Sequence, residues 1–261
     1  MTESGMFDLT GRVALVAGGA GYLGRATCKG LAQLGAAVMV ADLASEGAQA
    51  LAEELVAGGA QAAALGLDIA EEASVHSTVA RTTSAFGQLD VLVNAAFCSI
   101  GKTVDELRAE EFDRANRVNL TGTFLLAREA ARAMPRGGSI ILFASMYGQV
   151  APDPRIYEPP MNPNPLEYGV GKAGVIQMAK YLGACWGPRG IRVNAIAPGP
   201  FPNRAVQQQH PAFIKRLAGK VPMGRIGRQD EIAGTVAFLA SNASSYLNGT
   251  TISVDGGWTI W

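Results

Sequence analysis

The sequence predicts an α/β fold: a doubly wound parallel sheet of seven strands with helices on both faces, in a single domain. Two observations lead to this prediction. Short apolar runs alternate along the chain with longer stretches whose apolar residues recur at helical spacing. The short runs are almost continuously apolar, which is typical of parallel strands covered on both sides. Since no linker interrupts the alternation, we expect residues 1–261 to form one domain.

The predicted elements alternate in chain order. The strands are β-branched or apolar runs at residues 12–17, 36–41, 62–67, 91–95, 139–143, 191–196 and 250–254. Helical spacing is found at residues 22–34, 47–56, 72–86, 112–134 and 168–186. Right-handed crossovers through these helices would make the strands parallel.

Two segments break the alternation. Residues 150–165 contain six prolines, which fit neither a helix nor a central strand, so we expect a long, stiff loop beside the active site. Residues 198–222 form a second irregular stretch, with a short helix predicted at 211–217. We interpret this stretch as a lid on the substrate side.

Composition excludes several classes of protein. Lys plus Arg and Asp plus Glu number 22 each, and a net charge of zero argues against nucleic acid as a partner. No apolar run is long enough to span a membrane, and the opening residues resemble no leader peptide, so we expect a cytoplasmic protein. The 3 cysteines are far apart and only 2 histidines are present, so we expect no metal site.

A glycine-rich turn follows the first predicted strand. Gly18, Gly21 and Gly24, with Tyr22 and Leu23 between the last two, would let the backbone approach a pyrophosphate at the N-terminus of the next helix. The alternative is a tight turn in a chain rich in glycine.

Asp42 ends the second predicted strand. Its carboxylate could bind the adenosine ribose hydroxyls and would repel a 2′-phosphate, which favours NAD over NADP. The alternative role for Asp42 is a helix cap or turn.

Tyr168 and Lys172 are four residues apart at the start of a helix and therefore share one face. They follow a strand that leads into Ser145, at the edge of the sheet where ligands of doubly wound folds bind. An ammonium beside Tyr168 would lower its pKa from about 10 towards neutrality and allow proton transfer. An exposed helical pair without function is the alternative.

Together these motifs resemble the short-chain dehydrogenase family of single-domain, Rossmann-type oxidoreductases, from Gly11 to Trp258. The residues in that family's order are Gly18, Gly21, Gly24, Asp68, Asn94, Ala95, Ala96, Asn119, Ser145, Tyr168, Lys172, Pro198 and Gly199. The chain departs from the family pattern at Tyr22, Ala95, Phe97, Phe201 and Asn203.

The resemblance implies a role for each of these residues. Tyr168 would be the acid or base, Ser145 would hydrogen-bond the substrate oxygen, and Lys172 would hold the nicotinamide ribose. Asn119 would hold a proton-relay water. The implied cofactor-binding residues are Gly18, Gly21, Tyr22, Leu23, Gly24, Asp42, Asp68, Ile69, Asn94, Tyr168, Lys172, Pro198, Gly199 and Phe201.

The proline-rich loop indicates the substrate class. It lies between Ser145 and Tyr168 and offers polar side chains suited to a sugar or sugar acid, with a guanidinium that could pair with an anion. These candidate substrate contacts are Arg155, Tyr157, Asn162 and Asn164. A packing insertion or a subunit contact is the alternative explanation of the loop.

The sequence therefore predicts an NAD-dependent dehydrogenase that interconverts a secondary alcohol and a ketone, on a sugar or sugar acid. One alternative is a 3-oxoacyl carrier reductase, against which Asp42 counts because such enzymes usually need NADPH. A remote alternative is a non-catalytic dinucleotide-binding protein, for which a broken tetrad would be expected. The resemblance also implies a homotetramer, with Trp258 and Trp261 as possible interface residues.

Overall fold

The computed structural model describes residues 5–261 and contains one seven-stranded sheet in which every strand pair is parallel. The predicted domain starts at residue 1, which lies outside the described residues. The strands are β1 Val13–Ala17, β2 Ala37–Asp42, β3 Ala62–Gly66, β4 Val91–Asn94, β5 Gly138–Phe143, β6 Ile191–Pro198 and β7 Thr251–Val254. Their order in the sheet is β3-β2-β1-β4-β5-β6-β7. The predicted fold class is confirmed.

Helices cover both faces of the sheet. They are α1 Tyr22–Gln33, α2 Ser45–Ala57, α3 Glu72–Phe86, α4 Ala109–Asn116, α5 Thr123–Arg132, α6 Leu166–Trp186, α7 Arg204–Gln209, α8 Pro211–Lys220 and α9 Glu231–Ala240. Helices α3, α5 and α6 pack on one face, and α1, α2 and α9 pack on the other. Successive residues of a strand therefore enter opposite cores: Leu15 lies in the first and Val16 in the second. This two-sided burial explains the continuous apolar runs.

The helix predicted at 112–134 differs from what the structure shows. A π-helical turn at Arg117–Gly122 separates α4 from α5. A Cβ atom on Gly122 would lie 2.6 Å from the carbonyl oxygen of Ile69, so the turn passes close to the segment after β3. Such turns leave apolar spacing almost unchanged and are frequent at functional sites, so periodicity could not reveal this one.

The prediction did not include α7 or α9. Helix α9 has the sequence EIAGTVAFLA, which is apolar on most of its surface and therefore shows little periodicity. Helix α7 has only six residues, RAVQQQ, which is too short for a periodic signal.

A third, smaller apolar cluster joins the proline-rich loop to the C-terminal segment. It contains Met146, Tyr147, Ile156, Leu217, Val221 and Trp258. Trp258 is only 8% exposed, so its side chain packs within its own chain and is not available to a neighbouring subunit. Trp261, in contrast, is 80% exposed. No helix within residues 5–261 has the length and apolar character needed to cross a membrane.

Strand order decides where a ligand can bind. The chain runs outwards from β1 through β2 to β3 and then returns to place β4 on the other side of β1. The segments that leave β1 and β4 diverge and open a crevice beyond the carboxyl ends of these strands. Every candidate catalytic and cofactor residue lies on this side of the sheet or directly behind it.

Candidate active site

The turn after β1 requires glycine at two positions. Gly18 has a φ of +73°, and a Cβ atom there would lie 2.6 Å from the amide nitrogen of Ala96. A Cβ atom on Gly24 would lie 2.0 Å from the carbonyl oxygen of Gly18. Gly24 thus lets the first turn of helix α1 pack directly on the loop at Gly18, and Gly18 lets this loop pack on the segment after β4.

Helix α1 begins with its amide groups directed at the crevice. Gly21 is the N-cap residue and no side chain caps the helix. The first turn, Tyr22 to Gly24, carries no acidic residue, so its N–H groups and the positive end of the helix dipole are free for a phosphate. Tyr22 also reaches towards α7, where Nε2 of Gln207 lies 3.4 Å from its hydroxyl oxygen. The turn therefore fits a pyrophosphate.

A cavity of about 330 Å³ lies beside this turn and contains two carboxylates. Asp42 accepts hydrogen bonds from the N–H groups of Ala20 and Ala44, at 2.9 and 3.0 Å. Asp68 and the buried Ile69 line the same cavity. None of the described residues that line it is a lysine or arginine.

Asn94 lies behind this cavity rather than in its wall. Its Nδ2 donates to Oγ1 of Thr123 at 2.9 Å, and its Oδ1 accepts from the N–H of Ala96 at 3.2 Å. Because Asn94 is only 3% exposed, it holds the segment after β4 in place instead of offering its amide to a ligand. Its predicted contact with the cofactor stays a prediction.

A second cavity of about 240 Å³ continues from the first towards Tyr168. The predicted nicotinamide-side residues Pro198, Gly199 and Phe201 line it together with Ser145 and Lys172. Phe97 lines both cavities and lies edge-on to Tyr168, with ring centroids 5.8 Å apart and planes at 78°. The two cavities form an elongated cleft whose ends suit the two halves of a dinucleotide.

Ser145, Tyr168 and Lys172 meet at the carboxyl end of β5. Ser145 follows the strand, and its Oγ accepts a hydrogen bond from the N–H of Tyr147 at 3.1 Å. Tyr168 lies in the first turn of α6 and lines the same two cavities as Ser145. The Nζ of Lys172 lies 5.5 Å from the Tyr168 ring centroid and donates to the carbonyl oxygen of Phe143 at 2.6 Å.

The pKa of Tyr168 differs from the sequence-based expectation. Burial raises the pKa of Tyr168 above its usual value, and the neighbouring Ser145 hydroxyl opposes this increase. Lys172 does not lower it, because its ammonium is directed to Phe143 and burial lowers its own pKa to about 8. Tyr168 is therefore a protonated phenol at neutral pH in this structure, ready to donate a proton.

Replacing Lys172 with Met is expected to stabilise the cofactor-free protein. Folding lowers the pKa of Lys172 from 10.5 to about 8, so the charged lysine destabilises the folded state. This destabilisation is fully present below pH 8 and is lost above pH 10.5, where the lysine is neutral in both states. After allowing for the lost bond to Phe143, we expect a gain of about 2 kcal/mol at pH 7. The gain should shrink by more than half at pH 9.5. Urea unfolding at both pH values measures it.

The matched control for this change is Lys180→Met, which removes an exposed lysine from the same helix. It should alter the free energy of unfolding by less than about 0.5 kcal/mol at either pH. A Lys172→Met protein that is less stable than wild type by the same amount at both pH values would contradict the argument.

Asn119 lies in the π-helical turn and is 1% exposed. Its Oδ1 accepts from the N–H of Cys98 at 2.9 Å, and its Nδ2 donates to the carbonyl oxygen of Cys98 at 2.8 Å. Gly171 of α6 packs against it, since a Cβ atom there would lie 2.9 Å from the Asn119 Cβ atom. The side chain of Asn119 thus holds the segment after β4 against α6. Its part in a proton relay stays a prediction.

A third cavity, of about 390 Å³, lies on the other side of Tyr168 and Ser145. The proline-rich loop forms one wall of it, with Tyr157, Asn162 and Asn164 among the lining residues. Phe213 and Leu217 of α8 contribute another part. That the stretch 198–222 is a lid on the substrate side stays a prediction. We refer to this space as the substrate cavity.

The position of Arg155 does not support its predicted contact with an anionic substrate. Its guanidinium is paired with Asp153 through bonds of 2.9 Å from both Nε and Nη2. Its side chain is 84% exposed and does not line the substrate cavity. The cause is local: a 3₁₀ turn at Pro154–Ile156 directs Arg155 outwards, and proline content cannot predict that direction.

Comparison with known proteins decides the family. A family model described as Enoyl-(Acyl carrier protein) reductase matches residues 18–259. The chain belongs to the short-chain dehydrogenase/reductase family. This membership confirms the resemblance that the order of motifs indicated, and it identifies the chain as an oxidoreductase acting on alcohol groups.

Three members of the short-chain dehydrogenase/reductase family illustrate the similarity. D-threitol dehydrogenase of Mycolicibacterium smegmatis is 36% identical over 260 residues, 97% of this chain and 95% of that protein. The 3-oxoacyl-[acyl-carrier-protein] reductase FabG of Thermotoga maritima is 33% identical, over 97% of this chain and 99% of that protein. A gluconate 5-dehydrogenase from Burkholderia cenocepacia, solved with NADP and tartrate, has a TM-score of 0.89 and 33% identity, covering 99% of both chains.

Two residues of this family member escaped the sequence reasoning. Tyr147 lines the substrate cavity, and its hydroxyl lies 2.8 Å from that of Tyr157. The position of Tyr147, two residues after Ser145, could have indicated that it lies in the cavity. Met161 lines the same cavity from the proline-rich loop, and nothing in its sequence context distinguishes it from a packing residue. Within residues 5–261 no group of three His, Cys, Asp or Glu side chains is arranged to hold a metal ion.

Proposed function

We propose that the protein is an NAD-dependent dehydrogenase that interconverts a secondary alcohol and a ketone on a polyhydroxylated or carbohydrate-like substrate. One observation carries this proposal: Ser145, Tyr168 and Gly199 line both the cofactor cleft and the substrate cavity. The hydroxyl groups of Ser145 and Tyr168 therefore lie where a nicotinamide and a substrate would meet. The named activity of the threitol dehydrogenase relative supports a sugar alcohol.

The protein would supply orientation and a proton path. A bound nicotinamide provides hydride chemistry that no side chain offers. In the direction of reduction, Tyr168 donates its proton to the substrate oxygen while the Ser145 hydroxyl hydrogen-bonds the same oxygen. In the direction of oxidation, the Tyr168 phenolate takes the proton from the alcohol. Lys172, Pro198 and Gly199 would hold the nicotinamide half of the cofactor.

The charges of the cleft favour NAD over NADP. Asp42 and Asp68 line the end of the cleft next to the turn after β1, and Leu43 beside them is 75% exposed and apolar. A 2′-phosphate in this place would meet two carboxylates and no lysine or arginine among the described lining residues. The gluconate 5-dehydrogenase structure contains NADP, so this preference needs a direct test in the present protein.

The test compares kcat/KM for NAD and NADP with a panel of sugar alcohols, aldoses and cyclic alcohols. We expect kcat/KM of the wild-type protein to be higher with NAD than with NADP by about 100-fold or more. Asp42→Ala should reduce this ratio by about tenfold, because it removes both the repulsion of the 2′-phosphate of NADP and the hydrogen bonds to the ribose of NAD. Asp105→Ala changes an exposed carboxylate outside the cleft and serves as the control. Equal kcat/KM for both cofactors in the wild-type protein would disprove the assignment of NAD.

A 3-oxoacyl carrier reductase is the second candidate, supported by the similarity to FabG. The two carboxylates of the cleft count against it for the same reason that they count against NADP. If the panel shows activity only with 3-oxoacyl substrates and NADPH, this candidate replaces the first. A non-catalytic dinucleotide-binding role would show cofactor binding without turnover of any substrate.

We also propose a homotetramer in the cytoplasm. Helix α6 exposes large apolar or aromatic side chains on its outer side, where Leu166, Val170 and Tyr181 are 49%, 41% and 67% exposed. Such a surface is typical of a subunit interface. Light scattering after gel filtration measures the number of subunits.

Free cysteines at positions 28, 98 and 185 are compatible with a reducing compartment, which supports the proposed location in the cytoplasm.

A further inference from the structure

The substrate cavity has no charged lining. Among the described residues that line it there is no Asp, Glu, Lys, Arg or His. The charged side chains of the neighbouring loop are paired with one another: Lys220 as well as Arg155 with Asp153, and Arg216 with Glu158 at 2.7 Å. None of these cations is directed at the cavity. A bound carboxylate would therefore lose its hydration without meeting an opposite charge, which is costly.

The polar groups of the cavity form a site for a hydroxyl group. The hydroxyl oxygens of Tyr147 and Tyr157 lie 2.8 Å apart. Of their two hydrogens, one is used in the bond between them, and the other remains free to donate to a ligand. Asn164 lines the cavity, but its Oδ1 is buried in the protein and is not offered to a ligand. A neutral hydroxyl group can accept a hydrogen bond from the tyrosine pair without bringing a charge into the cavity, whereas a carboxylate brings a charge that no lining residue neutralises.

The remaining wall suits a carbon skeleton. Met161, Phe213 and Leu217 present apolar surface to the cavity, and Phe213 packs against Tyr157 with ring centroids 5.3 Å apart. At about 390 Å³ the cavity has room for a six-membered ring with substituents. Its chemistry therefore combines an apolar wall, a reacting end at Tyr168 and a second polar end at the tyrosine pair.

We propose that the substrate is an uncharged diol or polyol. One of its hydroxyls is oxidised at Tyr168 and Ser145, and a second hydroxyl is bound by the Tyr147–Tyr157 pair. Tyr147 and Tyr157 are then specificity-determining residues. This inference rests on the proposed function, since it presupposes oxidation of a secondary alcohol. It goes further in excluding the sugar acids that the sequence had left open.

Three probes of the same ring size test the inference with the full-length enzyme and NAD. Cyclohexane-1,4-diol carries a second hydroxyl, cyclohexanol carries none, and 4-hydroxycyclohexanecarboxylate carries a negative charge instead. We expect kcat/KM for the diol to exceed that for cyclohexanol by about tenfold and that for the carboxylate by about 100-fold. Threitol and threonate form a second, open-chain pair, for which we expect the same order.

Two sets of variants assign the effect to named residues. In the Tyr147→Phe/Tyr157→Phe double variant, the ratio of kcat/KM for diol and cyclohexanol should fall to within about threefold, because the free hydroxyl donor is lost. Met161→Lys adds a cation to the cavity wall and should raise kcat/KM for the carboxylate at least about tenfold relative to the neutral variant Met161→Gln. A purely structural role of the tyrosines would not change the ratio between two substrates.

Specific results would overturn the inference. A carboxylate probe oxidised as well as the diol would overturn it and leave the dehydrogenase function intact. A diol no better than cyclohexanol would overturn the role of the tyrosine pair. Absence of turnover with all five probes would also overturn it, because the cavity has room for each of them. Failure of the proposed function itself is recognised separately, by inactivity across the wider alcohol panel with both cofactors.

Discussion

Tyr168→Phe is expected to reduce kcat by a factor of about 10²–10⁴, because it removes the phenol that we propose as the proton donor to the substrate oxygen. The phenyl ring keeps its contact with Phe97, so the cleft should remain intact. We therefore expect the Kd for NADH, measured by fluorescence titration, to change by less than about threefold. Steady-state kinetics with the best alcohol of the panel measures kcat.

The pH dependence gives an independent test of the same group. Since burial raises the pKa of Tyr168, its protonated form predominates at neutral pH. Oxidation of the alcohol, which needs the phenolate, should become faster as the pH rises from 7 to 10, while ketone reduction should become slower. Tyr181→Phe, on the exposed side of the same helix, is the control and should keep wild-type kinetics. A Tyr168→Phe enzyme with near-normal kcat would contradict the proposed role.

Gly24→Ala should produce the largest change in cofactor binding. The added Cβ atom would lie 2.0 Å from the carbonyl oxygen of Gly18, closer than any two such atoms approach. Because the obstacle is backbone, the turn and the start of α1 must move apart, and the amides that would bind a pyrophosphate move with them. We expect the Kd for NADH to rise at least about tenfold and the free energy of unfolding to fall by about 1–3 kcal/mol.

Gly234→Ala is the matched control for this substitution. Gly234 lies inside helix α9, and a Cβ atom there would meet no atom within 4 Å. The change should stabilise the protein by about 0.5–1 kcal/mol, because alanine favours the helix, and should leave the Kd for NADH unaltered. If Gly24→Ala bound NADH as tightly as wild type, the close approach of the turn and helix α1 would not matter for the site.

Much of the fold was predictable because the residues that are buried in a strand or helix must be apolar, and this produces a recognisable pattern in the sequence. A strand such as β1 contributes Leu15 to one core and Val16 to the other, so every position is apolar and the run is recognisable. The predicted ends of the seven strands differ from the observed ends by at most two residues. The π-helical turn was missed because its apolar spacing is almost that of an α-helix. Helix α9 was missed because nearly all of its residues are apolar, so that no periodic pattern appears.

The site was predictable to the extent that it depends on short-range order. The glycines, Tyr168 and Lys172 are recognisable by spacing within one turn or one helix, and the structure places them along one cleft. The pKa of Tyr168 was not predictable, because it depends on how deeply the phenol is buried and on where the Lys172 ammonium is directed. The direction of the ammonium depends on the carbonyl oxygen of Phe143 in β5, which is 29 residues distant in sequence.

The sequence by itself determined the α/β class, the parallel sheet and the family, because the first two follow from periodicity and the third from the order of short motifs along the chain. Only the tertiary structure decided which polar groups face the substrate. It directed Arg155 to Asp153 and away from the substrate cavity, and it paired Tyr147 with Tyr157 in the cavity wall. The physical reason is that a side chain's direction in an irregular loop depends on the bonds it finds after folding, and local sequence does not encode them.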